Sequence, residues 1–200
     1  MRKQIITLFF ALNSIFALGQ NLYLKASIGT NDLRKNSGDY SWINKYKNIV
    51  TSDIGVLFKT GIFKNKLNIS TGLTVKYQPT KFVIDSVLMQ VEGNDEFVTV
   101  TDKSHNLFIQ VPIILDIKKY KRFNINVGLL NNIYVNKDKK LPYEVYILGG
   151  SIGVDYSISK KLSLSLSGYT DISPYLHNTL YYEYNLYNYG ASFSVMYKIF

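Results

Sequence analysis

Two hundred residues, 46% of them hydrophobic and 14% aromatic, suit one domain. There is no cysteine, which excludes a disulfide framework and thiolate zinc sites. The net charge of +9 gathers in "KNK" (64–66), "KKYKR" (118–122) and "SKK" (159–161), three short segments between alternating runs. They read as charged turns at a membrane surface, and no nucleic-acid partner is expected.

The chain opens "MRKQIITLFFALNSIFALGQN". Arg2 and Lys3 precede a mostly apolar run from Ile5 to Leu18, and Ala17-Leu18-Gly19 supplies the small residues a signal peptidase reads. Residues 1–19 are therefore expected to be a signal peptide, with residues 20–200 as one mature domain. Past the leader no window has the apolar length of a transmembrane helix. A membrane-spanning form of this chain would have to be a closed barrel, because only helices and barrels satisfy the backbone in lipid.

Eight segments alternate with period two. They are 21–30, 52–63, 67–77, 106–118, 123–135, 145–159, 160–169 and 187–200. Their apolar phase includes Leu24, Ile54, Val75, Ile113, Val127, Val154, Leu164 and Val195. Their other phase holds glycine, serine, asparagine and charges of both signs: Lys25, Lys59, Lys76 and Lys198 against Asp53, Asp116 and Asp155. Buried charges persist only when paired, so this phase reads as a polar barrel interior with internal ion pairs. Short basic turns join segments 2–3, 4–5 and 6–7. Longer polar stretches, 31–51, 78–105, 136–144 and 170–186, make the other connections. That rhythm defines the expected fold: all-β, an eight-stranded antiparallel up-and-down transmembrane barrel. Tyrosines near segment ends fit aromatic girdles.

One line carries a family resemblance. "LFIQVPIILDIKKY" (107–120), with Leu107, Pro112, Ile113, Ile114, Leu115 and Tyr120, resembles a recurring strand of the PorT-like outer-membrane β-barrel family. The final Phe200 is similar to the terminal aromatic of outer-membrane barrels, although it is out of phase with Tyr197 and Ile199. The resemblance implies a small barrel in the outer membrane of a Gram-negative envelope, of the OmpA/OmpX-like type. It implies no single activity; some members are linked to protein export across that membrane.

No catalytic residues, metal ligands or cofactors are expected. His105 and His177 fall in or beside separate long connections; Ser173, His177 and Asp171 or Glu183 make no nucleophile motif. The long connections read instead as a recognition surface, with Trp42, Tyr175, Tyr181, Tyr182 and Tyr184 as candidate contacts. The expectation is a non-enzymatic scaffold in outer-membrane lipid whose outer loops bind a protein or envelope component. Two alternatives remain: a lipid-modifying barrel enzyme, and a soluble secreted carrier barrel with its apolar phase turned inward.

Overall fold

The computed structural model describes residues 21–36, 43–46, 49–62, 67–91, 94–136, 144–174, 176–178 and 184–199. The expected signal peptide and Phe200 lie outside the described residues. The strands, in chain order, are β1 (Asn21–Asn36), β2 (Ile43–Tyr46), β3 (Ile49–Ile62), β4 (Leu67–Val91) and β5 (Asn94–Tyr120). Then come β6 (Phe123–Tyr134), β7 (Tyr146–Ser157), β8 (Leu162–Asp171), β9 (Leu176–Asn178) and β10 (Tyr184–Lys198). Eight of them, all but the short β2 and β9, pair antiparallel with neighbours on both sides. The sheet closes where Ala26 of β1 lies opposite Val195 of β10. The closed eight-stranded barrel follows from the period-two pattern, because every alternating run finds its register against the next.

The two phases separate as an inside and an outside. Ile54, Ile152 and Leu166 stand 66%, 62% and 62% exposed on the outer wall, while Thr74 and Ser194 are 0% and 1% exposed inside. The leucines of "LSLSLSGY" therefore point out, and its serines point in. This is the inverse of a water-soluble carrier barrel, and it overturns the alternative in which the apolar phase lines a ligand cavity. An apolar band of this extent is far larger than the patches a soluble monomer exposes. Aromatic rings bound the band. Tyr77, Tyr146 and Tyr189 are exposed at the long-connection end, and Tyr120, Phe123 and Tyr197 at the short-turn end.

Three features differ from the reading of the sequence. First, 78–105 is not an irregular loop. β4 and β5 continue through it as a paired hairpin, from Gln78 opposite Asn106 to Val91 opposite Asn94. β2 adds a third strand against Phe82–Ile84, and β9 pairs with the start of β10. Second, the interior is not wholly polar. Leu57, Phe108, Tyr134, Ile147 and Leu186 are buried. Third, β5 carries a bulge between Asp116 and Lys118. The extra residue, Ile117, lets Asp116 turn inward while Tyr120 still faces out.

Pro112 sits in the middle of β5, where it removes a ladder donor. The β4–β5 pairing is interrupted there, between Thr71 opposite Ile113 and Thr74 opposite Gln110. On the other flank Asn131 of β6 donates from Nδ2 to the Val111 carbonyl at 2.9 Å, and Tyr146 donates its hydroxyl to Asn131 Oδ1 at 2.6 Å. Both the amide nitrogen and the amide oxygen of this polar side chain on the apolar wall thereby have a partner.

Candidate functional site

The described part of the barrel offers one developed polar environment, its lumen. A cavity of about 290 Å³ runs between the long charged side chains of β1, β3, β4 and β5 and a wall of short hydroxyls. That wall is Ser163, Ser165 and Ser167 of β8 with Ser192 and Ser194 of β10. Small residues on one side and lysines on the other are what leave the space; it has room for several waters.

Lys25 Nζ lies 3.0 Å from Asp53 Oδ1, and Ser27 donates its hydroxyl to Asp53 Oδ2. Lys59 Nζ lies 2.6 Å from Asp116 Oδ2. These are the two Lys–Asp pairs among the described residues, and they join neighbouring strands in the first case and alternate strands in the second. The other expected partners are not ion-paired in this way. Lys76 is buried, with its ammonium 4.3 Å from the centroid of the Tyr169 ring across the lumen. A ring face stabilises a desolvated cation by its quadrupole, so a π face stands where a carboxylate was expected. Asp155 accepts from Asn126 Nδ2 at 3.0 Å and from the Ser165 hydroxyl. Lys198 is half-buried at the short-turn rim, in phase with Ser194 and Met196.

The lumen also contains groups that the sequence reading did not count in its interior charge network. Asp171, at the end of β8, accepts from the Asn188 amide at 3.0 Å and from Asn188 Nδ2 at 2.7 Å. Gln110 links Thr74 and Asn132, at 3.3 and 2.8 Å. Beyond them, Tyr134 donates to Asn106 Oδ1 at 2.8 Å, and the Phe108 and Tyr134 rings pack with centroids 5.1 Å apart. With Ile147 and Leu186 these rings fill the inward phase at the long-connection end. Asp171 could have been found by extending the β8 alternation two residues past Tyr169. The rings could not, because they break the polar phase.

Of the candidate loop contacts, Trp42, Tyr175, Tyr181 and Tyr182 lie outside the described residues. Tyr184 opens β10, and its side chain lies outside them too. Ser173 serves the backbone: its hydroxyl accepts from the Leu148 amide at 2.8 Å, and its own amide donates to the Leu148 carbonyl. His177 is in β9, opposite Asn185. His105 stacks on Tyr77 at the long-connection rim and shares a hydrogen bond with its hydroxyl.

Closure, an apolar exterior and a polar lumen together define a small antiparallel β-barrel of inverted polarity. Among solved structures, the chain is similar to Neisserial surface protein A, with 14% identity over 90% of this chain and 99% of that one, TM-score 0.47. It is also similar to Outer Membrane Protein W of E. coli, with 16% identity over 90% and 97%, TM-score 0.44. A third is outer membrane protein OprG from Pseudomonas aeruginosa, with 14% identity over 89% and 93%, TM-score 0.39. No family model and no curated protein matches the chain. The barrel stands on its own strand pairing, not on these likenesses.

Proposed function

We propose that the mature chain is an integral outer-membrane barrel that acts as a non-enzymatic scaffold, and that its long-connection end binds a protein or envelope component. The observation that carries this reading is the β4–β5 arm. Strands that need only about 9–11 residues to cross a bilayer run on, paired, from Gln78 to Val91 and from Asn94 to Asn106. At ~3.3 Å per residue the arm reaches roughly 45 Å from the wall. Ordered structure of that length beyond the apolar band has no role in crossing a membrane. The lumen supports the same reading: its ion pairs and its layer of buried rings favour a filled interior over a transport path. Association with protein export is the role that the PorT-like resemblance adds.

A photo-crosslinker placed in turn at Lys81, Lys103 and Lys121 tests this in intact cells. Discrete adducts from the arm positions, none from Lys121, and loss of the adducts in the Trp42→Ala/Tyr181→Ala/Tyr182→Ala variant are expected. Failure of that variant to assemble would make those rings structural, and a barrel without adducts from either arm position would refute the scaffold reading.

A further inference from the structure

Charge is distributed unequally between the two ends of the barrel. Among the described residues, the short-turn end, comprising 117–123, 158–161 and the end of β10, carries seven Lys and Arg and no Asp or Glu. Among the described acidic residues, Asp53, Asp116, Asp155 and Asp171 belong to the lumen, and Asp32, Asp85, Asp95, Glu96, Asp102 and Glu144 lie toward the long-connection end. Among the described residues, these rim turns contain no Asp or Glu.

Backbone pairing sets these cations side by side. Ser157 of β7 donates its amide to the Arg122 carbonyl at 2.9 Å, so the 121–122 turn abuts the 158–161 turn. Lys198 of β10 donates to the Lys161 carbonyl at 2.7 Å, which continues the arc. Lys121, Arg122, Lys160 and Lys161 are all exposed. Lys121 holds a φ of 53°, the left-handed region that glycine or asparagine would occupy with less strain. Its ammonium lies 5.5 Å from the centroid of the Tyr120 ring, which is 64% exposed. The arc thus borders the girdle of Tyr120, Phe123 and Tyr197, the level at which interfacial rings meet lipid headgroups.

We propose that this rim is a binding surface for anionic phospholipid headgroups in the leaflet that the short turns face. An acidic soluble protein would need a single accessible patch. Here the cations follow an arc from the 121–122 turn through 158–161 to Lys198, against the aromatic belt at the level of a bilayer's headgroups. Basic groups at such a surface each strengthen anionic-lipid binding by roughly fivefold, and salt screens the effect. The proposal rests on the membrane reading above, and the experiment separates the two.

The full-length mature protein is folded into mixed phosphatidylcholine–phosphatidylglycerol vesicles, its insertion is checked by resistance to carbonate extraction, and its retained lipids are weighed by native mass spectrometry after detergent release. The wild type should retain phosphatidylglycerol over phosphatidylcholine. Lys121→Gln/Arg122→Gln/Lys160→Gln/Lys161→Gln should lose that preference by about fivefold per charge at low salt. Lys121→Arg/Lys160→Arg/Lys161→Arg should keep it, and Lys139→Gln/Lys140→Gln at the other end should leave it unchanged. If the glutamine variant does not fold, the arginine and Lys139/Lys140 variants still decide: loss of preference in the latter places the site at the wrong end. Extractable protein overturns the membrane reading. Inserted protein that retains both lipids equally, or that loses phosphatidylglycerol to added poly-glutamate in preference to salt, overturns the headgroup proposal alone.

Discussion

Leu166→Arg puts the orientation of the wall to a quantitative test. Leu166 lies mid-strand in β8, 62% exposed, laterally opposite Val154 and Phe193, which are 42% and 44% exposed. Among the described residues no carboxylate can pair a guanidinium there, because those of the lumen are on the other face of the sheet. In lipid near the midplane such a charge costs about 2–4 kcal/mol. That is roughly a 30- to 1000-fold change in the folding equilibrium. Were the same wall in water, an exposed Leu→Arg change would stay within about 0.5 kcal/mol. The two environments thus differ several-fold in the expected effect. Urea-driven unfolding in phosphatidylcholine vesicles, followed by far-UV circular dichroism and by the mobility of unheated protein on gels, gives the number. Ser165→Ala is the inward control. Its hydroxyl bonds Asp155, so its loss should cost about 1 kcal/mol. A Leu166→Arg protein as stable as the wild type would refute the assignment of the apolar phase to lipid.

Within the lumen, Lys59→Met alone should destabilise the barrel by about 3–5 kcal/mol by stranding the Asp116 carboxylate. Lys59→Met/Asp116→Leu should recover most of that loss in the same titration, and a single variant costing under about 1 kcal/mol would contradict a desolvated pair. Gly190→Ala would drive a Cβ into the Thr30 carbonyl oxygen of the closing strand pair, a backbone clash worth at least about 1–3 kcal/mol. It should slow or abolish the gel-shifted folded form, whereas Gly168→Ala, whose nearest neighbour is 3.9 Å away, should fold normally. Trypsin added to intact cells should cut at Lys81, Lys103, Lys139 or Lys140 and spare Lys121 and Lys160; the opposite pattern would invert the topology.

Period-two alternation carried most of the architecture on its own. A strand in a barrel wall has one face in each environment at every step, so Leu162, Leu164 and Leu166 against Ser163, Ser165 and Ser167 could be assigned as two faces from sequence alone. Strand number followed, because each crossing of the wall had to repeat the pattern. The arm at 78–105 was not legible as strand, since beyond the apolar band no environment enforces alternation. Nor could the sequence show which inward residues meet. Lys59 and Asp116 are brought together by the registers of β3 on β4 and β4 on β5, which carry Lys59 to Ser70 and Ser70 to Ile114. Lys76 and Tyr169 belong to strands on opposite sides of the lumen and meet only because the wall closes. Alternation alone put Lys59, Lys76 and Asp116 in the inward phase; closure and stagger decided that one lysine would be held by a carboxylate and another by a ring.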